Sequence, residues 1–130
     1  MTGRFGSGGP YEEQYGYSRV VAAGPHAWVA GCTSYVDGEF VHEGDPAAQT
    51  RAAFAVALQA LDRAGFGRAD VVRTRMFVVD IAANGDAVAL VHGEVFADVR
   101  PASSLLGVAG LVGSRMLVEV EVEAFRGEWA

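Results

Sequence analysis

Near the end of the chain, aliphatic residues at 118, 120 and 122 alternate with carboxylates at 119, 121 and 123. A period of two marks a β-strand, because successive side chains leave opposite faces. One face of this strand is as apolar as a core. The other carries three acids in a row, and like charges on one strand face repel and resist burial. Such a face suits either bulk solvent or a wet, shared or reactive space with cations nearby.

The same pattern, read upstream, predicts further elements. Tyr17 to Ala23 and Ala27 to Thr33 are strand-like and separated by Gly24-Pro25, a turn signal. Tyr35-Val36 and Glu39-Phe40-Val41 flank Asp37-Gly38, a hairpin signal. Asp45 and Pro46 suit the cap and first position of a helix. Thr50, Phe54, Ala57, Leu58 and Leu61 then form one stripe at helical spacing, and Gly65 is placed to end it. Val71 to Ile81 reads as a strand with Val72, Met76 and Val78 on one face and Arg73, Arg75, Phe77 and Val79 on the other. Asn84-Gly85-Asp86 predicts the start of a second helix running to about Asp98, with Val88, Val91, Val95 and Phe96 inward. Leu105 to Leu111 and Arg115 to Phe125 complete the β set. The order is β-β-β-α-β-α-β-β, an α+β chain with both helices expected on one sheet face. Residues 1–14, rich in glycine, read as a flexible lead-in, and 15–130 as a single domain.

Composition narrows the function. The chain has 130 residues and a net charge of −6, with ten cations that are all arginine. An acidic chain without lysine argues against a nucleic-acid surface, which needs clustered cations to meet phosphates. No apolar run is long enough to predict a transmembrane helix, and the first residues lack a secretory h-region. Cys32 stands alone, which suits a reducing cytoplasm.

Candidate chemistry is sparse. His26, His42 and His92 are far apart in sequence, and His92-Gly93-Glu94 lacks the Pro-Cys-x-x-Cys that a zinc deaminase needs, so no metal is expected. Cys32 sits in an apolar strand with no adjacent cation and reads as inert packing. Ser103 and Ser104 lie outside any nucleophile elbow and read as turn or capping residues. Among the carboxylates, Glu119 is the candidate. A glutamate in a semi-enclosed cleft can hold and activate water; the competing reading is an ion pair with Arg73 or Arg75.

Taken together, Gly16-Tyr17-Ser18-Arg19, Val29-Ala30-Gly31, Gly44-Asp45 with Gln49, Asp70 to Val78, Asp80-Ile81, Arg100-Pro101-Ala102 and Val118-Glu119-Val120-Glu121 resemble the YjgF/Rid family, also labelled endoribonuclease L-PSP. The resemblance runs from about residue 16 to 125. It implies a chorismate-mutase-like fold with a mixed six-stranded sheet and two helices on one face. It also implies a homotrimer whose small-molecule sites lie in clefts between subunits, without cofactor. Characterised members hydrolyse reactive enamines and imines. The family's cleft tyrosine matches Tyr17 and its water-activating glutamate matches Glu119. Its carboxylate-clamping arginine falls on Ser103, its cysteine on Leu105, and its serine before the strand glycine on Ala30. Serine cannot replace a bidentate arginine. Standard 2-aminoacrylate deamination is therefore not expected, unless Arg100 or Arg75 reaches the cleft. Tyr17 and Glu119 are the catalytic candidates; Ser103, Ser104, Ala30, Gly31, Arg100, Arg75 and His92 are the substrate-binding candidates. The enzyme reading competes with a non-catalytic ligand-binding or regulatory trimer and, last, a ribonuclease.

Overall fold

The computed structural model describes residues 2–127, so the last three residues of the expected domain lie outside it. Eight strands and three α-helices follow in chain order: β1 (Thr2–Phe5), α1 (Pro10–Tyr15), β2 (Val20–Ala23), β3 (His26–Cys32), β4 (Tyr35–Val36), β5 (Glu39–Phe40), α2 (Pro46–Arg63), β6 (Val71–Val79), α3 (Ile81–Phe96), β7 (Ala102–Val108) and β8 (Val118–Phe125). Six strands form one mixed sheet in the order β1-β2-β3-β8-β6-β7, and β4 and β5 form a separate hairpin. Among the described residues only β6 and β7 pair in parallel, joined by α3, as a parallel pair requires a crossover. The α+β fold with a mixed six-stranded sheet is the one expected.

Several local signals act as read. Asp37 and Gly38 both have positive φ, 51° and 82°, the conformation that a two-residue hairpin loop needs. The Asp45 carboxylate accepts from the Ala48 amide at 3.0 Å, and Pro46 opens α2. Gly65, at φ 88°, ends it. Phe54, Ala57 and Leu61 are wholly buried between α2 and the sheet, whereas Leu58 is only half-buried at the edge of the stripe. Val88, Val91 and Phe96 bury the inner side of α3.

Three expectations are corrected. Residues 1–14 are not a bare flexible lead-in: Thr2–Phe5 pairs antiparallel with β2, and Pro10–Tyr15 forms α1. Strand pairing supplied by partners further along the chain, from Phe5 with Val20 to Thr2 with Ala23, leaves no mark on so short a glycine-rich segment. The helix expected from Asn84 starts at Ile81, behind Asp80 in the left-handed region at φ 52°. There Asn84 Nδ2 donates to the Val79 carbonyl at 2.8 Å and bridges strand to helix. Finally, Val72 is exposed, not inward. The β6–β8 register shifts between Val71 and Arg73, and such a bulge breaks the alternation, so Val71, Thr74, Met76 and Val78 face the core instead.

The sheet therefore has one face covered by α2 and α3. Val118, Val120, Val122 and Ala124 of β8 pack there, each buried. The opposite face carries Glu119, Glu121 and Glu123 opposite Phe77, Arg75 and Arg73 in register.

Candidate functional site

The charged face divides in two. At its middle, Arg75 Nη1 donates to Glu123 at 2.9 Å and lies 3.8 Å from Glu121. These three charges answer one another. Arg73 reaches past them to the edge, its Nη2 donating to Ser104 Oγ at 3.3 Å.

Glu119 stands apart. Its carboxylate pairs with no cation within ion-pair distance among the described residues. It folds over Gly31, where a β-carbon would lie 2.7 Å from Glu119 Cδ. A side chain at this position would force the Glu119 carboxylate to move. Burial raises its pKa above the ordinary glutamate value, and the neighbouring Glu121 charge raises it further, while the Arg19 guanidinium pulls the other way. A half-buried carboxylate whose pKa is raised is better suited to exchange protons with a bound molecule or water.

Gly31 is open because β3 is irregular there: its register on β8 shifts between Val29 and Cys32. A bulge leaves backbone groups outside the ladder, and buried carbonyls need donors. Arg19 supplies them. Its Nη1 donates to the Gly31 carbonyl at 2.5 Å and lies 3.3 Å from the Ala30 carbonyl. The same atom is 3.5 Å from Cys32 Sγ, so the cysteine does have an adjacent cation, contrary to the sequence expectation. Burial nevertheless pushes the Cys32 thiol up to about 11, more than Arg19 offsets, and it stays a neutral packing residue. Arg19 belongs to the bend between α1 and β2, outside either element, and this frees its side chain to turn inward. Its Nε lies 3.7 Å from Glu12 on α1. Its Nη2 is 3.5 Å from Tyr17 Oη, with the guanidinium carbon 5.6 Å from the Tyr17 ring centre. Glu12 is in turn held by the Ser7 amide, which donates to it at 2.8 Å.

The start of β8 is pinned from the helix side. Buried Gln49 donates to the carbonyls of His42 and Arg115 at 3.1 Å each, and its side-chain oxygen accepts from the Leu117 amide at 2.9 Å. Three bonds from one side chain thus set the residue two before Glu119. Beside Tyr17 lies an open hollow of about 660 Å³, lined by Arg4, Glu12, Tyr17, Val21, Trp28 and Ala30, which does not extend to Glu119.

The remaining sequence candidates lie elsewhere in the chain. Ser103 is exposed on β7 and pairs in register with Thr74, on the helix side of the sheet. Thr74 Oγ1 lies 2.8 Å from Ser103 Oγ and 2.7 Å from His92 Nε2. His92 packs edge-on to Phe54 and beside Phe96, and burial lowers its pKa. Arg100, at φ 56°, follows α3 as an exposed residue whose amide donates to the Phe96 carbonyl at 2.8 Å. Arg75 is committed to Glu121 and Glu123. Within one chain, then, contacts run from Glu119 over Gly31 to Arg19, which also reaches Ala30 and Tyr17. Ser103 and His92 form a second group, while Ser104, Arg75 and Arg100 join neither. Arg19 carries no sequence signal of its own beyond the resemblance. Its spacing of 12 residues from Gly31 carries no signal, and a charged residue immediately before a strand is the only hint the chain offers. Among the described residues, no three His, Cys, Asp or Glu side chains are grouped to hold a metal ion.

The comparisons agree with this architecture. The family model for endoribonuclease L-PSP matches residues 11–126. An uncharacterized protein of Streptomyces coelicolor is 45% identical over 124 residues, covering 95% of this chain and 92% of that one. The crystal structure of a YjgF/YER057c/UK114 family member from Mycobacterium tuberculosis superposes with a TM-score of 0.88 at 39% identity, covering 96% and 99% of the two chains. A Rid-family protein of unknown function from Yersinia pestis gives a TM-score of 0.77 at 26% identity, over 85% and 87%. The chain belongs to the endoribonuclease L-PSP family, the YjgF/Rid proteins.

Proposed function

We propose that this protein acts on a small reactive enamine, imine or related metabolite by hydrolysis or tautomerisation, without a cofactor, in the clefts of a homotrimer. The observation that carries the reading is the unpaired, desolvated Glu119 carboxylate, seated on Gly31 beside Arg19 and near Tyr17's anchoring bend. A carboxylate with a raised pKa takes a proton from water as the water attacks an imine carbon, and returns it to the leaving nitrogen. Addition of water followed by loss of ammonia converts the imine to a carbonyl compound. Tyr17 contributes a hydroxyl for orientation.

Two features support the trimer reading. The sheet face opposite the helices is half apolar and half charged, and the β7 edge exposes Leu105 and Leu106. Association would cover both, and would bring Ser103 of one subunit toward the Glu119 group of a neighbour. Ser103 occupies the position of the family's carboxylate clamp, and its hydroxyl is already engaged by Thr74. The substrate is therefore one that needs no bidentate anchor for a carboxylate. That same loss supports the second reading, a ligand-binding trimer that retains the cleft but not the turnover. A ribonuclease is disfavoured by ten arginines against sixteen acids and no lysine.

The test is ammonia release from a panel of imines with and without a carboxylate. Turnover of uncharged imines that disappears in Glu119→Gln supports the enzyme. Binding without turnover across the panel supports the second reading. On 2-aminoacrylate, the wild type should be nearly inactive and Ser103→Arg should gain activity.

A further inference from the structure

Arg19 is the least expected feature of the site. Its side chain is only 12% exposed, yet it does not form a tight ion pair: Glu12 is 3.7 Å away. A guanidinium held this deep needs donors' partners on several sides, and here they are backbone carbonyls of an irregular strand. One nitrogen bonds to the Gly31 carbonyl and reaches that of Ala30; the other faces the Tyr17 hydroxyl. The two carbonyls belong to the bulge that gives Glu119 its seat, so one side chain touches both the floor beneath the carboxylate and the Tyr17 hydroxyl.

We propose that Arg19 is the positioning residue of this site, holding the Ala30–Gly31 bulge open beneath Glu119 and fixing Tyr17. The inference rests on the catalytic reading of Glu119 but concerns a separable property, the state of that carboxylate in the free protein. Arg19 acts on substrate only through Glu119 and Tyr17. Its cation also stabilises the ionised form of Glu119, which burial and Glu121 oppose. The other charged or titratable groups near the site are few. Glu12 lies against Arg19 from α1, Cys32 is a neutral thiol on β3, and Arg75 on β6 is occupied by Glu121 and Glu123. Arg19 is therefore the main cationic influence on this carboxylate.

The experiment is a carbon-detected NMR titration of the Glu119 carboxyl, assigned by its disappearance in Glu119→Gln and read without any substrate. Arg19→Gln keeps an amide donor for one carbonyl and removes the charge. Its Glu119 midpoint should rise by roughly one pH unit. Arg19→Lys keeps a charge but loses the fork that spans two carbonyls, so its midpoint should rise less. The order wild type, Arg19→Lys, Arg19→Gln supports the proposal, with kcat falling in the same order if the enzyme reading holds. A Glu119 midpoint at the wild-type value in both folded variants overturns it and leaves Arg19 a purely structural residue. Should Arg19→Gln not fold, Arg19→Lys decides alone: a raised midpoint supports the proposal and an unchanged one overturns it. Because the titration needs no turnover, an inactive wild type would defeat the catalytic reading without touching this result.

Discussion

Glu121 and Glu119 are two residues apart on one strand and point to the same face, yet they have different fates. Glu121 lies in a patch where Arg75 answers it and Glu123 together. Glu119 lies over a glycine, with no ion-pair partner among the described residues and with burial raising its pKa. The exposed network is ordinary: such pairs are partly screened by water and contribute little to stability. The desolvated, unpaired carboxylate is costly to the fold, and structures keep such groups where chemistry needs them. The difference shows that three identical alternating glutamates are not one feature. What separates them is what lies against each side chain: Gly31 beneath Glu119, and the Arg75 guanidinium beside Glu121 and Glu123.

The comparison breaks most readily at the reacting group. Glu119→Gln should lower turnover by about 10²–10⁴-fold, the usual contribution of a positioned acid–base group. Glu121→Gln should leave turnover near wild type. Equal losses in the two variants would mean that the face acts as a general acidic surface. Gly31→Ala probes the seat itself. The added carbon must displace the carboxylate, so stability should fall by about 1–3 kcal/mol and turnover by roughly 100-fold for a displacement near 1 Å. A Gly31→Ala protein with unchanged kcat would show that Glu119 does not need its present position.

The smallest effect is on stability against pH. The folded-state pKa of Glu119 is raised, so the group contributes stability below its unfolded pKa and loses it as pH rises through the folded value. Wild-type protein should therefore lose stability relative to Glu119→Gln across the upper carboxylate range. Denaturant midpoints of the two, measured at acidic and neutral pH, check this; a variant that falls further than wild type on going to neutral pH would reverse the sign.

Much of this frame was legible locally. The alternation at 118–123, the Asp45-Pro46 start, the Asp37-Gly38 turn and the Phe54–Leu61 stripe are each set by neighbours within a few residues. The misreadings share one cause. Val72, the start of α3 and the β1–α1 segment depend on a bulge, a left-handed Asp80 and pairing with a distant strand. A bulge changes the parity of a strand without changing its composition. For the site, Glu119 was legible in the alternating strand and Tyr17 and Gly31 in the resemblance; in the structure Glu119 lies over Gly31, whose carbonyl Arg19 links to Tyr17. Arg19 was missed because its partners are backbone carbonyls across the sheet, which no side-chain pattern reports. Ser103 and His92 were named as cleft residues, but within one chain they meet each other through Thr74 and not Glu119.

The central claim is that Glu119 differs from an ordinary surface glutamate. Its carboxyl titration in the wild-type protein tests that most directly. The account predicts a midpoint above the ordinary glutamate range, lowered again when the site is opened by Gly31→Ala. A wild-type midpoint at or below the ordinary value would contradict it.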